Sequence, residues 1–275
     1  MWQIKKISDE QYFSLGDVFD GFDCPTNRNK ELIISNSFMK QIFDTNLYHR
    51  LVAGETEIDD ELQGIFDVGK AFHCYVLEHS EFYYRYIVSD TRDATSDLTR
   101  VSKADFEFIE ASYNNTKLKY PYVVDEQNSE LAIFGEINGV KVKCKVDKLH
   151  IEKSGKKYQS VEIIDLKGVY FNPFKLKKDS TKNRWELRRK ICDAGYDLQA
   201  YFYSKMVSEW LESINQHCEV TFSLLIASKK TYEVQKFQIG AEIMESGRLK
   251  FESVWNDIQD FVLHGKCRLQ ENEIL

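Results

Sequence analysis

Residues 140–147 read Val-Lys-Val-Lys-Cys-Lys-Val-Asp, an alternation of apolar and charged side chains that suits a β-strand with one covered face. Asn138-Gly139 stands directly before it. That pair is a strong hairpin signal, because both residues tolerate the positive φ angles of a tight two-residue turn. The pattern predicts strands over 130–136 and 140–151, a turn at Ser154-Gly155, and a third strand over 158–167. In the second strand Val140, Val142, Cys144 and Val146 point one way, and Lys141, Lys143, Lys145 and Asp147 the other. In the third, Val161, Ile163, Asp165 and Lys167 share a face. An apolar strand therefore ends in two charges, and the meander can bring Asp147 alongside them.

Helical periods flank this meander. Leu62, Ile65, Phe66, Gly69, Phe72, His73, Val76 and Leu77 recur at three- and four-residue spacing and predict a helix over 60–78 with these residues facing the core. His73 lies on that face, where a histidine is either a satisfied core residue or an inward ligand. Gly69, one turn earlier, allows close backbone approach, and Glu78 reads as a surface carboxylate. Ser35-Asn-Ser37 ahead of Phe38 and Ile42 reads as a helix start, with hydroxyls to cap free amides at a terminus that also attracts phosphate. Residues 1–34 show no period and read as loop and turn. A short strand is expected within 82–99, a helix over 101–117, one long helix over 185–210, a second hairpin over 218–238 and a final helix over 241–263. This is an α/β chain of one domain, 1–275, with a mostly helical part up to residue 125.

The 275 residues suffice for a substantial core. No apolar run reaches the length a membrane helix needs, and Met1-Trp-Gln-Ile-Lys-Lys lacks the apolar stretch of a secretory signal, so a cytoplasmic protein without membrane contact is expected. The six cysteines are scattered, with no Cys-x-x-Cys pair, which argues against a zinc site or an iron–sulfur cluster. Net charge is −7, but it is segregated. Residues 167–190 hold nine Lys or Arg against two acids, a net +7 that leaves −14 for the rest. Such a distribution suggests an anion-binding surface on an acidic body.

Asp147, Asp165 and Lys167 are the residue types that phosphodiester hydrolysis requires. Carboxylates hold a hard divalent ion, to which the Leu166 carbonyl can add, and a lysine orients water or offsets negative charge. A structural salt bridge is the ordinary alternative for an isolated Asp-x-Lys. The wider context distinguishes the two. Gly69-Lys-Ala-Phe72-His73-Cys-Tyr-Val-Leu77-Glu78, then Asp147, then Ile163-Ile-Asp165-Leu-Lys167, then Asp197-Leu-Gln199 and Tyr203, follow one another in order, with Ser35-Asn-Ser37 upstream. This ordered set resembles the PD-(D/E)xK nuclease superfamily, and within it the RecB-like exonucleases of the RecE, or exonuclease VIII, type.

The resemblance implies a restriction-endonuclease-like core, a central mixed sheet flanked by helices, carried by residues 126–275. By the same resemblance His73, Asp147, Asp165 and the Leu166 carbonyl hold Mg²⁺, for which Mn²⁺ substitutes. Lys167 is then the catalytic lysine, and Gln199 and Tyr203, one turn apart, contact substrate or orient the lysine and the metal shell. The implied substrate is duplex DNA with a free end. Ser35 and Ser37 would meet the substrate end, and Lys175, Lys177, Lys178, Arg188 and Arg189 its phosphate backbone. A single-strand annealing protein as partner and a homo-oligomeric ring follow from analogy alone. The chain departs from the pattern in having Gly168-Val169 after the lysine, where Thr or Ser is usual, and a basic insertion over 175–190. An endonuclease or nickase, and a nucleic-acid-binding or phage–host interaction protein without turnover, are the alternatives.

Overall fold

The structure is a computed structural model that describes residues 2–14, 33–45, 60–91, 97–169 and 180–264. The meander forms as its alternation demands. Strands β4 (Ser129–Ile137), β5 (Val140–Ser154) and β6 (Lys157–Val169) pair antiparallel, and Asn138 and Gly139 turn the first hairpin with φ of 49° and 84°. The sheet gains β1 (Gln3–Lys6) beside β4, and β7 (Glu219–Ser228) and β8 (Val234–Gln238) beyond β6, in the order β1-β4-β5-β6-β7-β8. Among the described strand pairs of this sheet, β6 with β7 is the only parallel one. A parallel pair needs a long crossover, and helices α6 (Ser180–Asp193) and α7 (Tyr196–Ser213) lie on it. The fold is thus an α/β arrangement with a central mixed sheet flanked by helices.

Burial on both faces explains why β6 carries apolar side chains on both, Val161 and Ile163 on one and Ile164 and Leu166 on the other. Val161 and Ile163 join a core with Phe38 and Met39 of α2 (Asn36–Thr45), Leu198, Phe202 and Met206 of α7, and Phe251 and Trp255 of α8 (Ala241–His264). Ile164 and Leu166 join a second core with Phe72, Val76 and Leu77 of α3 (Asp60–Leu77) and Phe108 and Ile109 of α5 (Lys103–Lys119). The side of β6 that meets α7 carries Asp165 and Lys167 at its end.

Several expectations are corrected. The first fourteen residues contain β1 and α1 (Asp9–Ser14), too short for a period to show. Ile34 makes a parallel bridge to Val142. Phe82–Arg85 is a short helix, α4, and the strand that follows, β2 (Tyr86–Val88), pairs with β3 (Thr99–Val101). The long helix expected over 185–210 is two helices, broken at Gly195, whose φ of 72° is left-handed. Lys143, on the expected polar face, is fully buried because α1 covers it. Its ammonium donates to the Tyr12 carbonyl at 3.0 Å and lies 4.6 Å over the Tyr12 ring. Glu78 is also buried, held by Lys6 and Arg85 at 2.9 Å each. The stripe on α3 serves two environments. Phe72, Val76 and Leu77 are core, but Ile65 and Phe66 are exposed. No helix among the described residues is long and apolar enough to cross a membrane.

Helix α8 packs on α7 at very short range. A Cβ added at Gly247 would stand 2.0 Å from the Asp197 carbonyl oxygen, so only glycine permits this approach. Polar ties surround the contact: Ser246 Oγ donates to Asp197 Oδ2 at 2.6 Å, and Lys250 Nζ donates to Asp197 Oδ1 at 2.9 Å and to the Cys192 carbonyl at 2.7 Å. Gly69, inside α3, has no heavy atom within 4 Å of the same position. Opposite outcomes are expected in chemical denaturation. Gly247→Ala should lose at least about 2 kcal/mol through overpacking, whereas Gly69→Ala should gain about 0.5–1 kcal/mol from helix propensity. Equal effects would refute the close helix contact.

Candidate active site

The site forms where two strands part. The β5–β6 ladder runs from Ser154↔Lys157 to Lys148↔Ile164 and stops. The next opposed positions in that register are Asp147 and Asp165. Beyond the ladder Leu166 N donates to Asp147 Oδ2 at 2.7 Å. The first half of β5 takes Ile34 as its neighbour instead, through Ile34 N to the Lys141 carbonyl and Lys143 N to the Ile34 carbonyl, both at 2.9 Å. Two of the backbone groups released by the divergence, the Lys141 carbonyl and the Lys143 N–H, are satisfied in this way. A cleft of about 600 Å³ lies here, lined by His73, Glu130, Lys145, Asp147, Leu166, Lys167 and Tyr203, among others.

Glu130 is the residue that sequence reading missed. The β4–β5 register pairs Ser129 with Lys148 and Leu131 with Val146, which sets Glu130 opposite Asp147. Glu130, Asp147 and Asp165 thus form a row, one carboxylate on each of three neighbouring strands. Ligand atoms of His73, Glu130 and Asp147 all lie within 4.8 Å of one another. Glu130 adopts a left-handed φ of 54°, a conformation that costs energy for a side chain of this size. Lys148 holds the turn that imposes it. Its ammonium donates to the carbonyls of Asp125 and Gln127 and, at 3.3 Å, lies within reach of Ser129 Oγ. Burial pulls this lysine down to about 8.

Three cations face the three acids. His73, on the cleft face of α3, places Nε2 3.0 Å from the Leu166 carbonyl and Nδ1 3.5 Å from Asp147 Oδ2. Burial alone would lower its pKa, but the charge and hydrogen bond of Asp147, with Glu130 behind, raise it to about 9. The imidazolium thus sits as a cation between a carboxylate and a main-chain carbonyl. Lys145 Nζ is 2.6 Å from Glu130 Oε2 and also meets Asp9. Lys167 Nζ is 2.6 Å from Asp165 Oδ2 and lies 4.9 Å from the centroid of the Tyr196 ring. Burial works against the charge on Lys167, yet Asp165 and Asp147 raise its pKa and keep it protonated.

The acids respond unequally. Burial disfavours the charge of Asp147, but His73, Lys167 and the Leu166 N–H outweigh it and the pKa falls. Burial raises Asp165 to about 6, Lys167 opposing and Asp147 adding to the shift. Burial likewise raises Glu130, reinforced by Asp147 and opposed by Lys145 and His73. Gln199 Nε2 donates to Asp165 Oδ1 at 2.7 Å, so the glutamine positions a carboxylate. Asp165 Oδ2 is met by the Lys167 ammonium and by no other polar group among the described residues. Tyr203 is buried one turn further along α7, lines the cleft, and has its pKa pushed well up by burial, which keeps the phenol neutral.

The expected site residues divide accordingly. His73, Asp147, Asp165, Leu166, Lys167, Gln199 and Tyr203 come together. The three-residue cluster able to hold an ion contains Glu130 where Asp165 was expected. Ser35 and Ser37 line the cleft at the start of α2, and Ser35 Oγ accepts from Phe38 N at 3.3 Å. Arg188 and Arg189 lie on α6 with surface carboxylates, Glu242 and Asp193, as partners and do not line this cleft. Lys175, Lys177 and Lys178 lie outside the described residues.

The His73 shift carries a sign that can be tested on metal-free protein. A pKa raised from 6.5 to about 9 by folding stabilises the fold fully below pH 6.5, and the contribution is lost as pH rises through about 9. Melting profiles with chelator should therefore show wild type losing its advantage over His73→Gln across that window. Parallel profiles would refute the ion pair with Asp147.

Comparison with known proteins supports this architecture. The chain resembles a crystal structure from Eubacterium rectale described as a "putative exonuclease", with a TM-score of 0.53 and 15% sequence identity over 94% of this chain and 87% of that one. At that identity the likeness is one of fold. No curated protein matches by sequence. A family model described as "PDDEXK-like domain of unknown function (DUF3799)" matches residues 35–267, a span that runs from the Ser35 helix start past the end of α8. The strands that part at Asp147 and Asp165, and the helices that bring His73 and Gln199 to them, are thus those of a PDDEXK-like domain, and the chain belongs to that family.

Proposed function

We propose that the protein is a divalent-metal-dependent deoxyribonuclease that works from duplex ends, an exonuclease of the RecE type. The observation that carries this reading is the convergence of His73, Glu130, Asp147 and Lys167 in one cleft at the separation of β5 and β6, with Asp165 buried against Lys167. The donor set, carboxylates with one imidazole and a main-chain carbonyl, suits Mg²⁺ and, through the imidazole, Mn²⁺. His73, after giving up the proton that it carries in the metal-free protein, would hold the ion with Glu130 and Asp147, with the Leu166 carbonyl beside them and Asp165 within the same row. A divalent ion there supplies neutralisation of the scissile phosphate and an acidified water.

The chain's own groups do the rest. Lys167 carries a proton on Nζ and presents its charge beside Asp165, where it offsets negative charge developing on the phosphate. Gln199 fixes the rotamer of Asp165. Tyr203 keeps its proton and can donate to a phosphate oxygen in the cleft. Ser35 and Ser37, at the start of α2, offer hydroxyls and a helix terminus to a terminal phosphate. The exposed arginines Arg188 and Arg189 and the lysines of 175–178 would meet the backbone of the duplex further out. A ring assembly and an annealing protein as partner belong to the same reading and rest on resemblance.

The test is digestion of end-labelled linear duplex, single-stranded and closed circular DNA with Mg²⁺ or Mn²⁺. Wild type should release nucleotides from linear duplex and leave the circle intact. Lys167→Ala and Asp165→Ala should each lose at least about a hundredfold. Full activity in either variant would sink the site assignment. Cutting of the closed circle would make the protein an endonuclease, and tight binding without cleavage in either ion would make it a binding protein. Glu130→Gln should weaken Mn²⁺ binding measured by calorimetry while the fold persists. An unchanged affinity would remove Glu130 from the ligand set.

A further inference from the structure

Helix α3 carries apolar side chains that stand partly exposed beside the cleft. Ile65 and Phe66 are 44% and 45% exposed, although the chain places large apolar groups at the same period further along the helix in the core. Both line the cleft. Phe66, Gly69, Lys70 and His73 recur at three- and four-residue spacing, so they share one helix face, and all four line the cleft. Phe66 precedes His73 by two turns, about 10 Å along the axis. Gly69, between them, has open space where a side chain would stand. What distinguishes this ring from the apolar groups exposed elsewhere, such as Tyr84 and Leu118, is its place: it lines the cleft that holds His73, Glu130 and Asp147.

We infer that Phe66, backed by Ile65, is a stacking platform for an unpaired base of the strand that leads to the site. This rests on the nuclease reading above and adds the form of the substrate at that point. The occupant follows from continuity: whatever lies along this helix face reaches His73 two turns later. A phosphate gains nothing against an aromatic ring, whereas every base has a π-face to offer it. Lys70, exposed on the same face, can meet the phosphate of the same nucleotide. Gly69 leaves room for the sugar–phosphate chain to pass. A base inside a duplex has both faces covered, so stacking on Phe66 requires the strand to be unpaired there, either as a frayed end or as a single strand.

Fluorescence anisotropy with a labelled oligothymidylate tests this, using full-length protein with Ca²⁺ and a series of strands that carry one abasic nucleotide at successive positions. Phe66→Ala should bind the intact strand about tenfold more weakly. One abasic position should weaken wild type by a similar factor and leave Phe66→Ala no weaker, a non-additive cycle. Gly69→Leu should melt no lower than wild type and still bind the strand more weakly, because the added side chain meets the ligand and not the protein. The inference is overturned if Phe66→Ala binds intact and abasic strands as wild type does while wild type still digests linear duplex. A wild type that neither binds nor cuts any DNA would overturn the nuclease reading, and the platform with it.

Discussion

Three carboxylates stand side by side on three neighbouring strands, and their mutual repulsion is the constraint around which the rest of the molecule is arranged. Like charges placed directly across a sheet destabilise it, and burial makes each harder to ionise. The fold answers with one cation for each acid: Lys145 at Glu130, His73 at Asp147, Lys167 at Asp165. These come from different places. Two are on the strands themselves and one is delivered by α3. The central acid, with the imidazole and a main-chain N–H, keeps its charge most firmly, while its neighbours are pushed up. Removing one partner would leave a buried charge uncompensated, so the helices that carry His73 and Gln199 are as necessary to the site as the strands.

Much of this was legible in the sequence, for definite reasons. The alternation of 140–147 and the Asn138-Gly139 turn encode the meander locally, and the helical spacing of 60–78 encodes α3. Glu130 was also within reach. A two-residue turn opposes Ile137 to Val140, and counting back along that register puts Glu130 against Asp147. What pointed away from it was its ordinary appearance at the start of a strand. Other features are set by distant segments and have no local trace. Lys143 reads as a solvent-facing lysine until α1 folds over it. Ile65 and Phe66 continue an apolar stripe whose period does not show where the core ends and the cleft begins. The break at Gly195 was visible as a glycine, but only packing decides between a tolerated glycine and a left-handed helix break.

The geometry also separates two kinds of participant that a motif cannot. Asp147, Glu130 and Lys167 open onto the cleft. Gln199 is buried behind Asp165 and acts by holding it. Lys148 is one step further removed, since it holds the turn whose left-handed residues, Asn128 and Glu130, aim Glu130 at His73. Support of this kind fixes the rotamers of groups that would otherwise repel each other apart.

The contact of Gly247 with the Asp197 carbonyl bears on how much of the chain the site requires. Gln199 sits two residues beyond Asp197, on the segment of α7 that α8 clamps through Gly247, Ser246 and Lys250. The clamp is encoded about fifty residues after the glutamine it steadies, since Ser246, Gly247 and Lys250 follow Gln199 by 47 to 51 positions. In chain order His73, the three acids and Gln199 all precede the residues of the clamp. A chain ended before Gly247 would therefore carry every acid and cation of the site, and Gln199 with them, on a helix whose anchorage had been left out.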